Sequence, residues 1–185
     1  MRLLTSVLFT VIFIFLFTAL SAQDPLYWIN GSGSWTDPAK WSLSSGGSPA
    51  GIIPDENFSA VFDKNSKLET ASDIVTVPPG DYSVFQFFVD ANATFTLKMD
   101  GVNGSGVDMN VYSDLSLTAN VTIDYSENGI FSNVWVFPAG LHKIFTAGLD
   151  LNSVEFREVG TEITQFDNLE ASSRIRMYGG SWNTD

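Results

Sequence analysis

The sequence predicts an all-β protein, and three observations lead to that prediction. Short runs of β-branched and aromatic residues recur along the chain, separated by clusters of Gly, Asn, Asp, Ser and Pro. After residue 25, apolar residues nowhere keep a 3.6-residue period over three helical turns. The 15 glycines and 7 prolines also oppose long helices. We therefore expect very little helix.

The clearest strand candidates combine apolar and β-branched residues, and several alternate between apolar and polar residues, as a strand with one buried side does. They span residues 73–77, 84–89, 93–98, 121–125, 134–137, 154–157 and 174–178. In the last run, Ile175 and Met177 are expected to face the core, while Arg174, Arg176 and Tyr178 face water.

A weak internal repeat bears on the architecture. The tetrad Ala-Asn-Ala-Thr at 91–94 is echoed 28 residues later by Ala-Asn-Val-Thr at 119–122, and each tetrad leads into a strand run. A coil of this length, made of short strands and tight turns, suits a parallel β-solenoid, in which each turn buries its apolar side against its neighbours. A β-sandwich of the same strands is the alternative.

The first 22 residues read as a secretory signal peptide. Arg2 supplies one positive charge, residues 3–20 are almost wholly apolar, and Ala19, Ser21 and Ala22 are the small residues typical of a cleavage site. A retained membrane anchor is the alternative, because the apolar run approaches the ~20 residues of a spanning helix. Since the small residues favour cleavage, we expect a secreted or cell-surface protein that does not insert into a membrane after cleavage.

Three tryptophans punctuate a Gly- and Ser-rich segment that follows the predicted signal peptide. Residues 27–41 read YWINGSGSWTDPAKW and contain Trp28, Trp35 and Trp41. This segment resembles the W-x-G-x-G-x-W-x-x-P-x-x-W opening of large secreted β-helix proteins, including Bacteroidetes cell-surface proteins and autotransporter-like adhesins. Later segments keep the order of that family over most of the chain, although Asn30-Gly31 stands where the family has its first glycine.

The resemblance implies a right-handed parallel β-helix. Residues 23–54 would form a Trp-rich N-terminal cap, and residues 55–185 would form β-helix coils that continue into a longer parent protein. A cap is physically sensible because the open end of a solenoid exposes unpaired strand edges and an apolar interior.

The resemblance also implies a function. We expect a secreted or cell-surface structural or adhesive protein, exported as cargo of the type IX secretion system, whose machinery would then be a partner. The alternative is an extracellular polysaccharide-binding or polysaccharide-degrading β-helix protein with its active site outside this segment. No enzyme activity is expected within these 185 residues.

Charge and composition exclude several kinds of site. The chain has 21 acidic residues, 9 basic residues, one histidine and no cysteine, for a net charge of −12. The lack of cysteine excludes disulfides and thiolate metal sites, and a single histidine excludes a zinc site built on several imidazoles. Nucleic-acid binding would need a local basic patch. We expect none, because Arg157, Arg174 and Arg176 stand among more numerous acidic residues.

The tryptophans are one candidate binding site. The faces of Trp28, Trp35 and Trp41 could stack on the sugar rings of an extracellular polysaccharide. Their spacings of seven and six residues do not place them on one side of a strand. A role in sealing the core is therefore the alternative.

The loop at residues 100–108, DGVNGSGVD, is a second candidate site. Oxygens of Asp100, Asn103 and Asp108 could bind Ca²⁺, because hard cations prefer carboxylate and carbonyl ligands. An ordinary turn between strands is the alternative. No other cofactor is expected.

Residues suited to acid–base chemistry form no recognisable motif. Asp124, Glu127, Glu155 and Glu158 could supply the two carboxylates of a glycosidase, but acidic residues are too numerous to single out a pair. His142 has no Ser or Asp partner in a nucleophile motif, and we expect it in a turn or on the surface.

Overall fold

The computed structural model describes residues 23–101, 105–125 and 133–184. The predicted signal peptide therefore lies outside the described residues. Within these ranges the regular secondary structure is strand, apart from two short 3-10 helices, Pro38–Lys40 and Lys64–Ser66. The described part has no helix of the length and apolarity that a membrane crossing requires. The predicted all-β class is confirmed.

Seventeen strands are formed by the described residues. They are β1 (Asp24–Trp28), β2 (Gly33–Ser34), β3 (Trp41–Ser42), β4 (Phe58–Phe62), β5 (Glu69–Val77), β6 (Gly80–Val84), β7 (Phe87–Val89), β8 (Thr94–Met99), β9 (Val107–Val111), β10 (Leu115–Ser116), β11 (Val121–Asp124), β12 (Asn133–Phe137), β13 (Gly140–Phe145), β14 (Ser153–Phe156), β15 (Thr161–Gln165), β16 (Arg174–Met177) and β17 (Ser181–Thr184).

The strands form three sheets with parallel pairing. Sheet A has the order β17-β15-β13-β10-β7-β4-β1-β3, sheet B the order β11-β8-β5-β2, and sheet C the order β16-β14-β12-β9-β6. Within the described residues β3 is the exception, because it runs antiparallel to β1 at one end of sheet A. The predicted alternative, a β-sandwich of antiparallel sheets, does not match this pairing.

The chain visits the sheets in turn, and the return to each sheet has a regular length. In sheet A, Ala60 pairs with Phe87, Phe87 with Leu115, and Leu115 with Ile144, at separations of 27, 28 and 29 residues. The predicted 28-residue repeat matches this step. In sheet B, however, Thr122 pairs with Thr96, two residues from the position expected from the repeat. A shift of two residues leaves every side chain on the same side of the sheet.

One hydrophobic core runs along the inner sides of the three sheets. In β8 the predicted alternation holds, because Phe95, Leu97 and Met99 are buried between half-buried polar residues. Aromatic rings from different turns stack on each other: the ring centroids of Phe62 and Phe95 are 5.0 Å apart, and those of Phe62 and Phe87 5.4 Å. Each turn therefore covers the apolar side chains of the next.

One predicted strand is wrong. Residues 84–89 are two strands, because β6 ends at Val84 and β7 begins at Phe87, and the chain passes from sheet C to sheet A between them. Phe85 and Gln86 form this corner, and one polar residue inside an apolar run does not distinguish a corner from a continuous strand. The other six predicted runs coincide with parts of β5, β8, β11, β12, β14 and β16.

Aspartate side chains hold several of the turns between strands. The Asp90 carboxylate accepts the amide of Asn92 at 2.8 Å. The Asp150 carboxylate accepts the amides of Asn152 and Ser172, both at 2.8 Å. Some of the many acidic residues of the chain therefore have a structural role, because their carboxylates accept hydrogen bonds from backbone amides in turns.

Candidate functional site

The three tryptophans considered as a sugar platform are buried. Trp28, Trp35 and Trp41 are each 0% exposed. Their rings meet edge to face, with centroid distances of 5.1 Å for Trp28–Trp41 and 4.8 Å for Trp35–Trp41, and Phe62 stacks against Trp28 at 5.7 Å. They belong to the β1–β3 segment at one end of sheets A and B. They offer no exposed face on which a sugar ring could stack.

The candidate calcium loop is engaged with basic side chains. Asp100 forms an ion pair with Lys98 at 3.1 Å, and Asp108 forms one with Arg157 at 2.7 Å. Asn103 lies outside the described residues. In the ranges that the structure describes, no three His, Cys, Asp or Glu side chains are grouped as a metal site would require.

His142 is a core residue, and its expected place in a turn or on the surface is wrong. It lies in β13, which pairs with β10 and β15 inside sheet A, and it is 1% exposed. Its Nδ1 is 2.6 Å from the carbonyl oxygen of Ser113, and its Nε2 is 2.8 Å from that of Pro138. The ring therefore ties two neighbouring turns together.

Three arginines surround one buried glutamate on the outer side of sheet C. Glu155 lies in β14, alternates with core residues and is nevertheless only 5% exposed. Arg157 directly follows the end of β14, and Arg174 and Arg176 lie in the neighbouring β16, where Arg176 pairs with Glu155. We call Arg157, Arg174 and Arg176 around Glu155 the arginine cluster.

Glu155 holds the arginine cluster together through both of its carboxylate oxygens. Oε1 lies 2.8 Å from Nη2 of Arg174 and 3.4 Å from Nη1 of Arg176, and Oε2 lies 3.1 Å from Nε of Arg157. Arg157 also reaches Oδ2 of Asp108 in β9 with its Nη2, at 2.7 Å. Among the described residues, three guanidinium groups thus meet the carboxylates of Glu155 and Asp108, on a strongly acidic chain.

Two of the three guanidinium groups reach solvent. The side chains of Arg157 and Arg176 are 41% and 48% exposed, against 19% for Arg174. Burial alone would lower the pKa of Arg157, but hydrogen bonds to Asp108 and Glu155 raise it. Tyr178, 57% exposed, places its hydroxyl 3.5 Å from Nη1 of Arg176.

The expectation that no basic patch forms needs correction at this place, because the three named arginines do gather. Arg157 is 49 residues from Asp108, and Arg174 is 19 residues from Glu155. Only the pairing of β9, β12, β14 and β16 brings them together. A partial signal was present, since Glu155 and Arg157, like Arg174 and Arg176, alternate with apolar residues on predicted strands.

The described residues also line two open clefts. The first, of about 490 Å³, has one titratable lining residue, Asp55, whose carboxylate already accepts the amide of Asn57 at 2.8 Å. The second, of about 380 Å³, lies between β11 and the segment at residues 149–150. Of the carboxylates considered for a glycosidase, Glu155 is engaged by arginines and Glu127 lies outside the described residues. Neither cleft's described lining pairs a nucleophile with a base.

Comparisons with known proteins find no match: no family model, no curated protein and no solved structure is similar to the chain at a significant level. The relation to Bacteroidetes surface proteins stays a prediction from the tryptophan segment.

Proposed function

We propose that this chain belongs to a secreted or cell-surface structural and adhesive protein, built as a right-handed parallel β-helix. The three sheets would be its faces, and residues 23–54 its N-terminal cap. The observation that carries the proposal is the pairing in sheets A, B and C, where strands from successive turns run parallel and stack their inward side chains. Such stacking is what gives a solenoid its stability.

The end of sheet A at β3 supports the capping role. β3 runs antiparallel to β1, and the rings of Trp28, Trp35 and Trp41 pack against Phe62 at this end. Covering apolar side chains and turning the edge strand both oppose pairing with another molecule. A molecule capped in this way stays soluble while its other parts face a surface.

The dimensions suit a spacer or display element. Strands in a sheet lie about 4.8 Å apart, so the eight strands of sheet A span roughly 34 Å. Each further turn would lengthen the protein by about 4.8 Å at the cost of fewer than thirty residues. Stacked turns therefore build an extended surface with little chain.

Export is part of the proposal. The signal peptide at residues 1–22 would direct the protein out of the cytoplasm, and the type IX secretion machinery would carry it to the surface. Protease treatment of intact cells tests this: a surface protein is digested, whereas a cytoplasmic control protein in the same cells is not. Survival of the protein until the cells are lysed would contradict surface exposure.

Adhesion is tested with cells that lack the protein. We expect such cells to attach less to polysaccharide-coated surfaces, and attachment to return when the wild-type chain is restored. A matched strain carrying Phe62→Ala, which damages the core, should not restore it. Equal attachment with and without the protein would contradict an adhesive role.

A further inference from the structure

We propose that the arginine cluster, together with Tyr178, binds the anionic groups of an acidic polysaccharide, either the carboxylate of a uronic acid or a sulfate ester. This names a ligand for the adhesive function proposed above, and it rests on that function only for its biological setting. The binding itself is a property of sheet C.

The cluster is arranged before any ligand arrives. Glu155 orients the guanidinium groups of Arg157 and Arg174 through contacts of 3.1 and 2.8 Å, and Asp108 fixes the far end of Arg157. Because Glu155 is itself 5% exposed, it satisfies the arginines from below and leaves the outer side to solvent. Groups ordered in advance lose less conformational entropy on binding.

Arg176 is the donor best placed to take an anion. Among the described residues its side-chain contacts are Glu155 at 3.4 Å and the Tyr178 hydroxyl at 3.5 Å, both at the outer limit of hydrogen bonding. Its side chain is 48% exposed. A guanidinium in this position can give two parallel hydrogen bonds to a carboxylate or sulfate.

Tyr178 adds a surface for the sugar ring. It is 57% exposed, and its amide donates to the carbonyl of Phe156 at 3.0 Å, which fixes its backbone to the neighbouring turn. An exposed aromatic ring beside a cation suits a ligand with an apolar ring face and a negative group.

Charge spacing favours a polysaccharide over a nucleic acid. Duplex DNA carries one negative charge about every 1.7 Å, so most phosphates beyond the cluster would meet a chain whose net charge is −12. An acidic polysaccharide carries its charges a sugar apart. The exposed guanidinium of Arg176 can therefore pair with one of these charges at a time.

The test is calorimetric titration of the purified protein with four probes: a galacturonate oligomer, a sulfated galactan oligomer, a neutral malto-oligomer and single-stranded DNA. We expect binding of one or both acidic sugars and not of the other two probes. Comparing the affinities of the two acidic sugars shows whether the site prefers a carboxylate or a sulfate ester. Added salt should weaken the binding, because it screens exposed charges.

Variants locate the site. Arg176→Ala should lower the affinity about tenfold, because it removes a charge-assisted pair of hydrogen bonds. Arg176→Lys should recover part of the loss, since it keeps the charge without the planar fork. Asp108→Asn should tighten binding, because it removes a negative charge beside Arg157 while its amide oxygen can still accept a hydrogen bond from Nη2. Lys143→Ala removes the same charge from an exposed position in sheet A and should change nothing.

Each variant is first checked for an unchanged urea midpoint, so that loss of binding is not loss of fold. Wild-type affinity in Arg176→Ala, or an equal loss in Lys143→Ala, would overturn the proposal. DNA binding that depends on Arg176 would overturn the choice of ligand. Because the titration uses purified protein, its result is independent of the protease and attachment assays on cells.

Discussion

Several aspartate side chains accept hydrogen bonds from backbone amides in the loops and corners of this fold. These hydrogen bonds lower the pKa of the carboxyl groups. Backbone amides of Glu69 and Thr70 lower the pKa of Asp73, and the amide of Asn92 lowers that of Asp90. For Asp150, burial alone would raise the pKa. Hydrogen bonds from Ser172 and from the amide of Asn152 outweigh burial and lower it.

We therefore predict that the protein loses stability in acid. In the unfolded chain an aspartate has a pKa of about 3.9. Because the folded pKa of Asp73, Asp90 and Asp150 is lower, the unfolded chain takes up these protons first as the pH falls. Their contribution is complete well above pH 4 and disappears as the pH falls through the folded values.

Urea unfolding between pH 6 and pH 3 measures this effect. The double variant Asp90→Asn and Asp150→Asn should be less stable at pH 6 and should show a shallower decline toward pH 3. A free energy of unfolding that does not change with pH would contradict the assigned role of the carboxylates.

His142 gives a second prediction at this scale. Replacement by Phe keeps the ring beside Phe137 but leaves the carbonyl oxygens of Ser113 and Pro138 without its nitrogens. We expect His142→Phe to lower the free energy of unfolding by about 2 kcal/mol, because buried acceptors lose their donor. The adjacent exposed Lys143→Ala should cost less than about 0.5 kcal/mol. Similar urea midpoints for both variants would show that these hydrogen bonds contribute little.

At the scale of the element, the corner before β17 depends on a glycine. Gly180 has φ +102°, and a Cβ at this position would collide with the carbonyl oxygen of Thr161. Gly160 has a similar φ of +97° but no atom within 4 Å of the same position. An alanine at either position would strain the backbone, but only at position 180 would it also collide with another atom. Comparing the two substitutions therefore separates the cost of strain from the cost of collision.

We predict that Gly180→Ala detaches β17, whereas Gly160→Ala costs only about 1–2 kcal/mol of backbone strain. Hydrogen exchange of the β17 amides should rise sharply in the first variant. The fluorescence of Trp182, which packs on Phe156 at a centroid distance of 5.7 Å, should move toward that of an exposed indole. Protected β17 amides in Gly180→Ala would contradict this account.

The elements also show what a sequence can predict. Alternation placed the buried residues of β8 correctly, because period-two burial follows from the pleat itself. In β16 it was wrong, because Ile175 and Met177, expected to face the core, are each 43% exposed. Corners are harder, since residues 85–86 turn between sheets with Gln86 as the single polar residue in an otherwise apolar run. The arginine cluster was out of reach, because it depends on which strands pair. His142 was misplaced because its partners are carbonyl oxygens, which every residue carries.

Across the whole molecule, the core is continuous from the tryptophan segment into sheets A and B. Phe62 contacts Trp28, Trp35 and Trp41 on one side and Phe87 and Phe95 on the other, with centroid distances between 5.0 and 6.4 Å. A single ring thus joins the tryptophan segment to strands β7 and β8.

We predict that Phe62→Ala destabilises the whole protein by about 3–5 kcal/mol, because the surrounding rings cannot close the cavity. Phe145→Ala is the matched control: the same side chain is lost from the outer side of sheet A, where it is 43% exposed, and we expect less than about 1 kcal/mol. Urea unfolding followed by tryptophan fluorescence measures both. A cost for Phe62→Ala no larger than that of the control would mean that the tryptophan segment and the three sheets are stable independently of each other.

The second cleft lies where sheet B ends and only sheets A and C continue. Sheets A and C continue through β12–β17, but sheet B has no strand beyond β11 in the described part of the chain, where the parallel bridge between Asp150 and Glu170 takes its place. When such a stack is pulled along its axis, the hydrogen bonds between neighbouring strands break one strand at a time. The part of the chain after β11 is held by two ladders of strand pairing instead of three, so under tension it would unfold at lower force than the end that carries the tryptophan segment.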